Sequence, residues 1–306
     1  MLQLLLGGSG SGKTTLLYQR IRARAEKGEK SILLVPEQFT SSTEGRIYRE
    51  LGDALSGMVE SFSFTSLAEK ILSTEGGAAV QTLSDAGRAV LVRRALEELQ
   101  DNVHYYHRHR RSAAFCQMAA QTIDELKSAG LSGRQLAQLA GACGAESGKL
   151  SELALIFQGY ETLLARSGMD PSDRLELAGA RLEEALARHS LPEFLRDRAV
   201  FIDEFDTFNA PKKRLLGAML AALPSVTVAL CDDGAPLLPG DLSLFSGAKQ
   251  VAAQLRQLAR KNGAEVAVPQ LLRKDLRHRN ATGLAAVAEL LETGSCTADA
   301  PAGEVR

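Results

Sequence analysis

Eight residues near the N-terminus, Gly7-Gly8-Ser9-Gly10-Ser11-Gly12-Lys13-Thr14, leave this chain few folds to choose from. They fit the pattern G-x-x-x-x-G-K-[ST] in full, and the pattern has meaning only between a strand and a helix. Here residues 2–6 are an apolar run, and residues 13–27 carry Leu16, Leu17, Ile21 and Ala25 at helical spacing. Glycines let backbone N–H groups converge on phosphate oxygens with no Cβ in the way, and the helix N-terminus adds its positive dipole end. The candidate nucleotide contacts are therefore Gly7, Gly8, Ser9, Gly10, Ser11, Gly12, Lys13, Thr14 and Thr15. Lys13 is expected to reach the β and γ phosphates and Thr14 to place its hydroxyl on Mg²⁺, which makes ATP and Mg²⁺ the expected cofactors.

A loop of this kind needs a second strand ending in acid opposite the metal. Residues 199–204, Ala-Val-Phe-Ile-Asp-Glu, have that form. Asp203 is the candidate for the Mg²⁺ shell. Glu204, just past the strand end, is the candidate for polarising the attacking water, and Lys13 and Glu204 form the candidate catalytic pair.

Between these two motifs the signal changes. Apolar runs at 32–35 and 59–64 read as strands, the second leading into a helix over 66–73, and strands alternating with helices imply a parallel sheet. From residue 76 to about 196 no useful β-branched run occurs, and amphipathic stretches recur at 86–99, 113–128, 150–166 and 174–188. Strand character returns at 199–202 and 226–230 around a helix at 211–223. A helix over 244–261, an edge strand at 266–268 and a helix over 282–292 follow. The expected division is a first core part at 1–75, a helical insertion at 76–196, a second core part at 197–292 and a polar tail or linker at 293–306. The fold expected is α/β, a phosphate-loop NTPase sheet interrupted by an all-helical block. An insertion of roughly 185 residues points, by analogy of fold, to a superfamily 1 helicase core rather than a compact kinase or GTPase.

Composition adds exclusions. Lys and Arg total 36 against 37 Asp and Glu, so a contact with nucleic acid must come from a local patch rather than from the overall field. No apolar run approaches the roughly 20 residues of a membrane-spanning helix. The first residues lack the basic n-region and cleavage site of a secretory leader, so the expectation is a cytoplasmic protein without membrane contact. Cys116, Cys143, Cys231 and Cys296 have no paired spacing and read as isolated thiols.

Several segments, in order, resemble the B subunit of the bacterial AddAB (RexAB) helicase-nucleases. Residues 4–17 are similar to that family's phosphate loop. Leu34-Val35-Pro36-Glu37-Gln38-Phe39-Thr40 is similar to its L-V-P-[DE]-Q-x-[TS] stretch, and residues 61–68, Ser-Phe-Ser-Phe-Thr-Ser-Leu-Ala, to its S-F-x-R-L-A segment. Residues 83–88 are similar to the opening of its helical insertion, and residues 201–208, Phe-Ile-Asp-Glu-Phe-Asp-Thr-Phe, to its F-[IV]-D-x-F-x-x-F. The resemblance implies a RecA-like domain 1A with a helical 1B insertion, single-stranded DNA and an AddA-like motor subunit as partners, and DNA contacts at Gln38, Thr40 and Phe64. Of Phe62 and Phe64, Phe64 is taken as the exposed ring, able to stack on a base. Ser66 stands where the family segment has Arg. The nuclease and second motor half that the family carries are not expected in these residues, so this polypeptide is not expected to cut DNA.

Weaker signals remain. His104–Arg111 is a basic, aromatic run and residues 273–279 are a second basic run, each a surface face on the plainest reading and a phosphate contact on the sharper one. Asp232-Asp233 follows a strand without the Gln of a γ-phosphate sensor, and Asp170-Pro171-Ser172-Asp173 is a helix-start signal. Two other readings stay open: a nucleotide-gated structural subunit without turnover, and a stand-alone small-molecule kinase.

Overall fold

A computed structural model describes residues 1–79, 81–144, 147–277 and 280–293. The chain divides into two compact units. One comprises residues 1–67, 185–208 and 216–306, the other 68–184 and 209–215.

The first unit is built on a six-stranded sheet of β1 (Leu2–Gly7), β2 (Ser31–Leu34), β3 (Val59–Phe62), β4 (Ala199–Ile202), β5 (Ser225–Cys231) and β6 (Gln270–Leu272). Every pairing is parallel and the order is β3-β2-β4-β5-β1-β6. The inner strands read as unbroken apolar runs because they are covered on both faces; every residue of β2 and β4 is buried. Helix α1 (Lys13–Ala25) buries Leu17, Tyr18, Ile21 and Ala25, one helical face, in a core shared with Leu5, Leu33, Phe201 and Ala229. Parallel strands all point their C-terminal ends to one edge, so the turns after β1 and β4 emerge together, with β5 between them.

The second unit is helical. Helices α5 (Asp85–Glu98), α6 (Ala113–Ser128), α7 (Gly133–Ala140) and α8 (Ser147–Ser167) enclose a core around Phe157, Tyr160, Leu96 and Ile123. A polar cluster ties the start of α9 (Pro171–Ala187) to it. The Tyr160 hydroxyl donates to Asp170 at 2.6 Å, and Lys127 Nζ donates to Asp170 at 2.8 Å and to Asp173 at 2.7 Å. Asp170-Pro171-Ser172-Asp173 is thus a helix start and also the anchor of a buried ion pair.

The helices expected at 113–128 and in the 86–99, 150–166, 174–188 and 211–223 regions are present, the last as α10 (Ala210–Ala222); the expected helix at 244–261 is α11 (Ser246–Lys261). Helices α2 (Thr40–Leu51), α3 (Asp53–Ser56) and α7 are additional. Residues 40–46 hold four Ser or Thr and a Gly, a local composition that masks the Thr43–Ile47–Leu51 stripe. Two boundaries need correction. The strand expected over 59–64 stops at Phe62, and α4 (Phe64–Glu75) begins at once. Ser63 and Ser66 cap it reciprocally: Ser66 N–H donates to Ser63 Oγ at 3.1 Å, and Ser63 N–H to Ser66 Oγ at 2.9 Å. The edge strand is β6 rather than 266–268, where Val266 makes only one bridge to Leu2. The expected helix over 282–292 is α12 (Thr282–Thr293). Of the expected tail, residues 294–306 lie outside the described residues, as does Cys296. No helix among the described residues is long and apolar enough to cross a membrane.

Candidate functional site at the ends of β1 and β4

The turn after β1 is bent by glycine for two different reasons. Gly10 and Gly12 have φ of 78° and 89°, in the left-handed region where a Cβ is strained. Gly7 is tight for lack of space: a Cβ there would stand 2.6 Å from the Leu272 carbonyl oxygen of β6 and 2.5 Å from Ser11 Oγ. Helix α1 opens immediately behind, with no acid in its first turn and no side-chain cap on its first amides. The main-chain N–H groups of Gly10, Gly12 and Lys13 donate to no acceptor among the described residues. Lys13 Nζ folds back to donate to the carbonyls of Gly7 and Gly8, each at 2.7 Å. Free amides, a helix N-terminus and an ammonium form a cradle for an anion.

Facing the cradle is the end of β4. Asp203 is 6% exposed, its N–H donates to Leu34 O at 3.1 Å, and its carboxylate accepts from the Thr14 hydroxyl and from Glu204 N–H at 3.0 Å. Burial pushes the Asp203 carboxyl above the usual range against the pull of Thr14, Glu204 N–H, Lys13 and Arg46. Glu204 is exposed with φ 65°, a left-handed backbone in a non-glycine residue. Such strain persists only where surroundings impose it, and it gathers at functional sites. Its carboxyl is raised by desolvation and by the neighbouring Asp203. A carboxylate and a hydroxyl held together by their own hydrogen bond are hard oxygen donors of the kind a divalent cation takes. The cavity between the two turns has a volume of about 500 Å³ and is lined by residues 9–15, 203–206, Arg46, Ala229, Cys231, Leu276 and Arg277.

Two contributors to this cavity escape a reading of the sequence. Arg46 comes from α2 and lies 5.0 Å from the Tyr18 ring centroid; burial raises the Tyr18 hydroxyl to about 12. The other is the strap after β6. Leu276 N–H donates to Gly10 O at 3.0 Å, Arg277 Nη1 donates to Ser9 Oγ at 3.1 Å, and Asp275 holds Arg277 N–H at 2.9 Å. This strap belongs to the basic run expected as a surface face. Its last residues, His278 and Arg279, lie outside the described residues.

The other expected residues are placed as follows. Gln38 is exposed and Thr40 half-buried, its hydroxyl bonded to Glu37 O at 2.7 Å, both just past the end of β2. Phe64 requires correction as an exposed ring. It is 3% exposed, packed edge-on against Phe205 at 5.2 Å and Phe208 at 6.1 Å, because it opens α4 and turns inward, while Phe62 is half-buried near Phe194. Asp232 is buried and its carboxylate accepts from Gly234 N–H at 2.7 Å; Asp233 pairs with Lys249 at 3.2 Å. Both acids are occupied in shaping the turn after β5.

The model of the family described as "ADDB, N-terminal" matches residues 4–288. Among curated relatives, the chain is 34% identical over 279 residues to the B subunit of the ATP-dependent helicase/deoxyribonuclease of Desulforudis audaxviator (strain MP104C), covering 88% of this chain and 23% of that protein. It is 33% identical over 279 residues to the protein of the same name from Moorella thermoacetica (strain ATCC 39073 / JCM 9320), covering 87% of this chain and 24% of that one. With the protein of the same name from Clostridium perfringens (strain 13 / Type A) it shares 29% identity over 283 residues, or 91% and 24%. The chain thus spans about a quarter of the length of these relatives. With a family match running from β1 through α12, and so across both turns of the site, the chain belongs to the ADDB N-terminal family.

Proposed function

We propose that this chain is the nucleotide-binding, helicase-like N-terminal region of a DNA-repair helicase-nuclease subunit, a phosphate-loop NTPase of RecA-like 1A type with a helical 1B insertion. The observation that carries the reading is the hydrogen bond between Thr14 and Asp203, two side chains far apart in sequence that meet across the glycine-bent cradle. In this reading the amides of the Gly7–Thr14 loop and of Thr15 hold the phosphates of ATP. Lys13 leaves the Gly7 and Gly8 carbonyls for the β and γ phosphates, and Thr14 and Asp203 hold Mg²⁺. The metal would neutralise charge between the phosphates, and Glu204 would orient a water at the cavity mouth. Gln38 and Thr40 stand on the sheet edge where a single DNA strand would run, and the names of the relatives point to an AddA-like partner subunit.

The test is Mg-ATP binding and turnover by the chain and by Lys13→Ala, each with and without single-stranded DNA. Binding lost in the variant is the expected result, and undiminished binding would overturn the reading. One observation favours a second reading, a nucleotide-gated structural subunit with slow turnover: Asp232 and Asp233 are consumed by the turn after β5 and Lys249, leaving no sensor there. Glu204→Gln separates the two, since loss of turnover marks an enzyme and an unchanged background marks the gated subunit.

A further inference from the structure

The turn between α5 and α6, in the helical unit, is built on one buried carboxylate. Glu152 of α8 is 6% exposed, and its oxygens accept from the main-chain amides of His104 at 2.7 Å, Tyr105 at 2.9 and 3.0 Å, and Tyr106 at 3.3 Å. Three successive amides on one anion fix the local backbone. Farther along, Tyr106 and His109 pack on Phe115 with ring centroids 5.3 and 5.7 Å apart. A carboxylate is costly to bury, and this one is satisfied only by holding the turn.

What the anchored turn shows to solvent is a run with no acid. His104, Tyr105, His107, Arg108, His109 and Arg111 are exposed, and Arg110 is half-exposed. Arg108, Arg110 and Arg111 form no ion pair among the described residues. Tyr105 is 58% exposed, yet its ring is braced against the start of α8, where a Cβ on Gly148 would stand 2.8 Å from Cε2. One side of the ring has a backbone support and the remainder faces water.

We propose that this turn is a contact surface for a single polynucleotide strand, with Tyr105 as the stacking platform and Arg108, Arg110 and Arg111 on the phosphates. Stacking needs an open base face, which a single strand offers and a duplex hides, and the arginines supply the complementary charge. The surface deepens the reading above and rests on it for the class of partner. It does not depend on the nucleotide site.

The test uses the full chain and a fluorescent oligodeoxythymidylate of about 16 nucleotides, titrated by anisotropy at several salt concentrations, with Mg-ATP binding followed in parallel. Tyr105→Ala is expected to weaken strand binding roughly five- to 150-fold with the salt slope unchanged, and Tyr105→Phe to retain it. Replacing Arg108, Arg110 and Arg111 together by Ala is expected to flatten the slope of log K against log salt by about 2, at ~0.7 per phosphate. Each variant is expected to bind Mg-ATP as the parent does. The proposal is overturned if the parent binds no strand, if Tyr105→Ala binds as tightly as the parent, or if heparin competes as well as the oligonucleotide, which would mark a general acidic-partner surface. Strand binding that responds to Gln38→Ala and ignores the turn would overturn this assignment and leave the reading of the sheet unit standing. Turn-dependent strand binding in a chain that binds no nucleotide would do the reverse.

Discussion

Gly12 and Lys127 are held by different forces, and each makes a prediction. At Gly12 the φ of 89° is the constraint, since the nearest atom a Cβ would meet is the free end of the Leu276 side chain at 2.9 Å. Gly12→Ala is expected to cost about 1–2 kcal/mol of stability in denaturant unfolding. Lys127 is nearly buried between Asp170, which is 1% exposed, and Asp173. Lys127→Met would leave the Asp170 charge with only the Tyr160 hydroxyl and is expected to cost about 3–5 kcal/mol. Burial alone would lower the Lys127 pKa, but its hydrogen bonds to Asp170 and Asp173 raise it above the ordinary 10.5. With the folded value raised, the stability this pair contributes is complete below 10.5 and is lost as pH rises through the folded value. Urea unfolding of the parent and of the variant across the alkaline range should converge.

The helix α4 depends on its first turn. Its reciprocal Ser63–Ser66 cap ends β3 and turns Phe64 inward onto Phe205 and Phe208. Ser63→Ala is expected to cost about 1 kcal/mol, read as a shift in the urea midpoint with little change in slope. Thr is expected to restore most of it, as its hydroxyl can accept the same bond. The cap also accounts for Ser66 where the resembling family segment has Arg: in this chain the position serves the backbone. A seryl cap three residues long was readable in the sequence. The burial of Phe64 was not, because alternation along a strand predicts the opposite side for a residue that in fact starts a helix.

Across the whole molecule, the sheet unit and the helical unit each carry a core of their own, around Leu5, Leu33 and Phe201 in one and Phe157 and Tyr160 in the other. A ligand stabilises the elements that its site joins. On the proposed reading, Mg-ATP at a hundredfold excess over its Kd stabilises the native state by about 2.7 kcal/mol. In hydrogen exchange the added protection is expected in β1, α1, β4 and the 275–277 strap, with little change in α5–α8. Protection gained equally in α5–α8 would contradict a site confined to the sheet unit.

The order of strand, glycine turn and helix at residues 2–25, the acid-tipped strand at 199–204 and the helical composition between them were legible in the sequence, because each is a local pattern: apolar period, glycine spacing, residue type. That Arg46 enters the cavity, that residues 275–277 cross the loop, that Phe64 is interior and that Glu152 holds the 104–106 backbone were decided only in three dimensions. Each of these is a contact between segments far apart in sequence. Its energy depends on where the parallel sheet and the helical core bring the two ends together, and no periodicity within either segment carries that information.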